Sequence, residues 1–434
     1  MKNRRTTGIG ILGVLVWGCL HGSVAWAGET ASLTIDTGDT AWILVSSALV
    51  LCMTLPGLAL FYGGLVRSRN VLATIMHTAI ILCMITLVWI LCGYSLAFGP
   101  DLGGLIGGLD WVGLHGVGLE PSPVYASTIP HQLFMVFQLM FAAITVALIT
   151  GSIAERMKFT ALLWFAVLWS LFVYSPLAHW VWGGGWLGQM GALDFAGGAV
   201  VHISSGVAAL VFAFMLGPRK GFGTEPMPPH NLPMTVLGTG LLWFGWFGFN
   251  AGSALGANEV AIAAFIATHT AAAAGGISWM VAEWVHRGKP TVLGVASGII
   301  AGLATITPGA GFIGPLSALC IGLVAGTLCY LAVVWKMKLG YDDSLDVVGI
   351  HGVGGLTGIL ATGLFASIGA QGLFFGNAGQ FGIQLLLAFV TAVFALVGTY
   401  IILKILDLTI GLRVSSHDEE MGLDLSQHSE RAYS

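Results

Sequence analysis

Charge is scarce in this chain. Asp, Glu, Lys and Arg make up 8% of its 434 residues, whereas a soluble domain carries about 25% to cover its surface. A water-bathed globule is therefore excluded. Metal-ligand spacing is also missing: the six cysteines, Cys19, Cys52, Cys83, Cys92, Cys320 and Cys329, stand far apart in apolar segments, and no H-x3-H or H-E-x-x-H pair accompanies them. They read as small core hydrophobes. No credible strands are read, so no phosphate-cradling glycine loop, dinucleotide fingerprint or serine elbow has the strand–turn–helix setting it needs. Neither an enzyme nor a resident cofactor or metal is expected. A net charge of −4 and the lack of basic runs with interleaved aromatics argue against nucleic acid as a partner.

What is abundant is apolar. Hydrophobic residues make up 56% of the chain, and mean hydropathy is +0.89, which describes a polytopic protein of the lipid bilayer. The 63 glycines are about twice the usual share and suit close helix packing in lipid. Residues 1–27 combine a basic start (Lys2, Arg4, Arg5), an apolar run and an Ala25-Trp26-Ala27 ending, the pattern of a cleaved signal peptide; an uncleaved first helix is the other reading. A membrane domain over 28–411 and a tail over 412–434 follow.

Apolar runs long enough to span lie near 42–64, 71–98, 133–151, 159–178, 195–216, 232–249, 260–284, 291–306, 314–335, 347–368 and 381–410. The expected fold is all-α with eleven transmembrane helices. After the signal peptide, Lys and Arg occur only in alternate loops, at the end of the last helix and in the tail, while 99–130 and 179–193 contain none. The positive-inside rule then puts the mature amino terminus outside and the carboxyl terminus in the cytoplasm. With eleven spans, the first five and next five helices enter with opposite polarity: two inverted repeats plus a final helix.

Two segments occupy equivalent places in those halves. In DFAGGAVVH, Asp194 precedes His202 by eight residues; in DSLDVVGIH, Asp343 precedes His351 by the same spacing. Ionisable groups at membrane depth are expensive and default to a functional reading with a named partner, and each histidine is the other's expected partner. The flanking glycines (197, 198 and 206; 349, 352 and 354) would thin the helices so that the imidazoles meet and present a polar, uncharged surface to a small neutral solute. The alternative is a pair of core histidines bonded to backbone or serine, the reading that holds for His77 and His269. Asp194 and Asp343 are read first as caps of the helices they precede. On the outer side, Trp182, Phe137, Phe141, Trp246 and Phe249, with Ser253, offer ring faces and a hydroxyl to a weakly hydrated cation; an interfacial aromatic belt is the plainer account.

From about residue 38 to its end the chain resembles the ammonium transporter family. The resemblance rests on DFAGGAVVH, HWVWGGGW from His179, GWFGFNAGSA from Gly245, VHRGKPTVLG, TPGAGFIGP, DDSLDVVGIHGVGG and the ending from DLTIGLRV. It implies ammonium and ammonia as substrate, recruited at Trp182, Phe141 and Ser253 with Phe137 close by. A gate is implied at Phe141 and Phe249, pore histidines at His202 and His351, and an indirect geometric role at Asp194. It further implies a homotrimer in the inner membrane and a PII-type signalling protein at the cytoplasmic face. Two other functions share the resemblance: an ammonium sensor acting through a partner, and a neutral gas channel of the Rhesus type.

Overall fold

A computed structural model describes residues 33–433; the expected signal peptide lies outside them. Among the described residues, eleven helices are long and apolar enough to cross a membrane: α1 Thr37–Leu65, α2 Ser68–Phe98, α3 His131–Ile153, α4 Phe159–Gln189, α5 Gly198–Leu216, α6 Leu232–Gly252, α7 Glu259–Arg287, α8 Val292–Gly309, α9 Pro315–Leu339, α10 Val348–Phe365 and α11 Ala378–Thr409. All eleven coincide with the apolar runs. Their starts are chemically marked: Asn231, Asn258, Thr291 and Asn377 each accept a backbone N–H three residues on, satisfying donors that a new helix leaves free.

Consecutive spans alternate in direction, so one face of the bundle gathers the charged loops and the tail, and the other gathers the aromatic loops. The halves α1–α5 and α6–α10 are inverted, which leaves α5 and α10 antiparallel at the centre. Four residues of α5 and α10 show why they could come so close. A Cβ on Gly206 would lie 2.3 Å from the Gly352 backbone, and one on Gly355 would lie 2.8 Å from the His202 Cβ. Neither position has room for a side chain. Both helices also carry a widened, π-type turn, Gly198–Ile203 in α5 and Val348–Gly352 in α10, and each histidine sits inside its own.

The loop between α2 and α3 corrects one expectation. Strands β1 Asp101–Leu102 and β2 Ile106–Gly107 pair antiparallel, as do β3 Pro121–Ser122 and β4 Ala126–Pro130. Three of the four strands have two residues, too few to show an alternating pattern; glycines 103 and 104, both at positive φ, turn the first hairpin. The cysteines also depart from expectation. All those described are free and Cys329 is buried, but Cys83 and Cys320 are exposed and Cys52 and Cys92 half-buried. Outward positions on α2 and α9 meet lipid, which is as apolar as the interior, so hydropathy cannot tell the two apart.

At the charged face a buried ion network ties the loops together. The Glu155 carboxylate accepts from Arg67 at 2.6 Å and from Arg219 at 3.3 Å, and Arg219 also donates to Asp342 at 2.9 Å. The tail docks over it. Val414 N–H donates to the Arg156 carbonyl, Arg413 pairs with Glu419, and Lys220 pairs with Glu420. Two short helices, α12 Ser416–Met421 and α13 Leu423–His428, close against the start of α2, where Asp424 accepts from Ala73 N–H and Asn70 from Leu423 N–H, both at 2.8 Å.

Burial pushes the Glu155 and Asp342 carboxyls up, but the guanidiniums of Arg219 and Arg67 on one, and of Arg219 and Arg156 on the other, hold both below their ordinary values of 4.5 and 3.8. A carboxyl depressed in the folded state contributes stability that is fully present above its unfolded value and is lost as pH falls through the folded one. The thermal midpoint of the purified protein should therefore hold near neutrality and drop below about pH 4. Glu155→Gln removes the carboxylate shared by the partly exposed Arg67 and by Arg219, leaving Arg219 only Asp342, and should destabilise by roughly 2 kcal/mol at pH 7, with a shallower acid limb. A midpoint at pH 7 equal to that of the native chain would show that the network is idle.

Candidate functional site

The site begins with a cap. The Asp194 carboxylate, buried before α5, accepts four successive backbone amides: Gly197 at 3.1 Å, Gly198 at 2.5 Å, Ala199 at 2.9 Å and Val200 at 3.0 Å. These are the donors that a helix amino terminus leaves orphaned. Burial raises the carboxyl and the four amides lower it, leaving it at about 6, and it faces the positive end of the helix. The same residue's carbonyl accepts the Trp182 indole N–H at 2.8 Å. One aspartate thus fixes both the turn that carries His202 and the ring that lines the entrance. Asp343 caps α10 more simply, through Val348 N–H at 2.7 Å.

At the aromatic face a cavity of about 350 Å³ opens between α3, α4 and α6, lined by Trp182, Phe141, Ser253 and Gln138 among others. Ser253 Oγ donates its proton to the Phe249 carbonyl at 2.9 Å, which leaves its lone pairs free. Beside the cavity, Phe141 and Phe249 stack with centroids 4.2 Å apart and planes 17° from parallel. Phe137 packs edge-on against Phe141 at 5.0 Å and against Gly252. It braces the stacked ring from behind and does not line the cavity.

Past the stacked rings the line continues to the histidines. The Phe249 ring lies 6.3 Å from His202, and His202 lies 5.1 Å from His351, the two imidazoles tilted by 22° with their Nδ1 atoms 3.2 Å apart. At that distance one nitrogen donates and the other accepts, so the pair shares a single hydrogen between them. His202 is fully buried and its Nε2 has no partner; His351 is 4% exposed. Trp246, expected at the mouth, lies deeper: it stacks on His202 at 5.6 Å and donates to Thr307 Oγ1 at 2.9 Å.

The model of the Ammonium Transporter Family matches residues 41–433. The chain belongs to that family. It is 54% identical over 405 residues to an ammonium transporter of Bacillus subtilis, covering 92% of this chain and 99% of that one. Against ammonium transporter Amt1 of Archaeoglobus fulgidus it is 50% identical over 402 residues, covering 92% and 100%. The crystal structure of Saccharomyces cerevisiae Mep2 superposes with a TM-score of 0.83 at 39% identity, covering 88% of each chain. A structure titled "Sensor Amt Protein" superposes at 0.84 with 30% identity, covering 90% of this chain and 98% of that one. The protein is therefore a multi-pass membrane protein of ammonium transporters, a family of transporters and channels and not of enzymes.

Within this transporter, two of the histidines set aside earlier part company. His77 is buried, as a core histidine should be, but its ring stacks on Phe159 and meets the tail's His428, and its Nδ1 is unpaired. His269 is exposed on the outside of the bundle, flat against Trp243 and Phe247, so it is not a core residue at all. Gln138 escaped notice, although its place between Phe134 and Phe141, four residues after one and three before the other, signals a shared helix face. Among the described residues no His, Cys, Asp and Glu group of three or more gathers as a metal site.

Removing the cap tests the first of these relations. Asp194→Ala leaves four buried amides unpaired and should lower the thermal midpoint by the equivalent of about 2 kcal/mol or more. Asp194→Asn keeps one acceptor oxygen and should lose roughly half as much. Equal midpoints for Ala, Asn and the native residue would show that the amides find other partners.

Proposed function

We propose that this transporter recruits ammonium from outside at Trp182, Phe141 and Ser253, that the ion passes its proton to water at the Phe141 and Phe249 constriction, and that ammonia is conducted along His202 and His351. The observation that carries this reading is the uncharged line from the stacked phenylalanines to the paired imidazoles. Moving an unpaired ammonium ion into such a dry interior costs tens of kcal/mol in the idealised limit, and a cation–π contact returns about 0.5–2 kcal/mol per ring. Ring faces and a hydroxyl therefore hold the ion where water remains and cannot carry it further. Losing a proton removes most of the penalty. Potassium, close in size, has no proton to lose. Phe137 supports the recruiting ring from behind, and Asp194 holds the geometry of both the entrance and the first histidine.

The distribution of Lys and Arg supports an external aromatic face and a cytoplasmic charged face in a bacterial inner membrane, with residues 1–27 removed as a signal peptide, 28–411 forming the transport domain and 412–434 the cytoplasmic tail. The outward His269, stacked with Trp243 and Phe247 beside the flat Phe247–Phe265 pair at 3.9 Å, supports a homotrimer, because a polar ring at membrane depth is better placed against a neighbouring subunit than against lipid. The tail bound across the charged face supports regulation there by a PII-type protein. The likeness to a protein titled as a sensor favours a second reading, in which this chain signals ammonium with little flux.

Ammonium and methylammonium uptake in a transporter-deficient strain separates these readings. The native chain should restore both; a pure sensor restores neither. His202→Ala and His351→Ala should each cut ammonium flux at least about tenfold or admit potassium, since an alanine leaves space and a hydrated lumen lowers the barrier to charge. Unaltered flux and selectivity in both variants would end the twin-histidine account.

A further inference from the structure

Every hydrogen-bond donor of the recruiting residues is already committed. The Trp182 indole N–H goes to the Asp194 carbonyl and the Ser253 hydroxyl proton to the Phe249 carbonyl. What faces the cavity is a set of lone pairs and ring faces, an environment for a cation that itself donates. Gln138 belongs to the same wall: Phe134, Gln138 and Phe141 follow one face of α3 and all line the cavity. Its amide oxygen is buried with no hydrogen-bond partner, an uncommon condition that calls for an explanation. No hydrogen bond to the described residues fixes which end of the amide faces inward, so a turn about its last torsion brings the oxygen to the cavity.

We propose that Gln138 binds substrate, supplying beside Ser253 Oγ the second hydrogen-bond acceptor for ammonium docked between Phe141 and Trp182, and so sets the preference for ammonium over methylammonium. The proposal rests on the docking reading above. Ammonium presents four N–H donors in a tetrahedron; two acceptors and two ring faces take up all four. Methylammonium presents three, and its methyl group must find one of the four directions. A hydrogen bond from a charged donor is stronger than a neutral one, so one acceptor more or less is felt as affinity.

The test is uptake of labelled methylammonium by transporter-deficient cells making the full chain, with unlabelled ammonium as competitor, for the native protein, Gln138→Met and Ser253→Ala. Gln138→Met keeps the length of the side chain and removes the acceptor. It should raise the inhibition constant for ammonium about tenfold, raise the half-saturating methylammonium concentration by less, and leave the maximal rate within about twofold. An ammonium constant unchanged in Gln138→Met but raised in Ser253→Ala overturns the role of Gln138 and leaves the docking site standing. Constants unchanged in both variants overturn the docking site and this proposal together. Should Gln138→Met fail to reach the membrane, Gln138→Glu decides: it keeps an oxygen and adds charge, so tighter ammonium binding supports the proposal and unchanged or weaker binding refutes it.

Discussion

Where α5 crosses α10, a Cβ on Gly206 would lie 2.3 Å from the Gly352 backbone, and the paired histidines are arranged around that approach. Backbones this close bring the two widened turns side by side, and with them His202 and His351, until their ring nitrogens stand 3.2 Å apart. Helices separated by ordinary side chains would sit about 8–10 Å apart and leave each imidazole to find a partner of its own. Paired, the rings share one hydrogen bond between their Nδ1 atoms, while the buried His202 Nε2 has no partner among the described residues.

Asp194 extends that constraint outward. Its carboxylate holds the amino end of α5 and its carbonyl holds the Trp182 indole, so the depth of the first histidine and the orientation of the entrance ring are set by one residue. Between them stands the Phe141–Phe249 stack, braced by Phe137. The sequence of environments along this line is a polar, acceptor-rich cavity, then an aromatic closure, then a neutral imidazole pair. Each suits one stage of the proposed passage: hydrated cation, ion losing its proton, uncharged molecule.

On the opposite face the physics changes. There the charges are collected into a buried network of Arg67, Glu155, Arg219 and Asp342, and the tail is bound to the loops by backbone bonds and ion pairs. Lys and Arg are kept at that end with their carboxylate partners in contact, since a buried ion is tolerable only with its counter-ion beside it.

Much was readable from the chain itself, because bilayer physics acts on local composition. Long apolar runs, alternate basic loops and a repeated aspartate–histidine spacing determined eleven spans, their alternation, the inverted halves and the expectation that two particular histidines would meet. Those signals depend on what one segment contains. The tertiary structure decided what depends on neighbours: that Trp246 stacks on His202 and not at the mouth, that Phe137 stands behind the cavity, that His269 faces outward, that Gln138 has an unpaired oxygen beside the vestibule, and that two hairpins of minimal length organise the loop above it. In a helix hydrophobic on all sides, periodicity cannot say which face meets lipid and which meets protein; only the packing of one helix against another makes that choice.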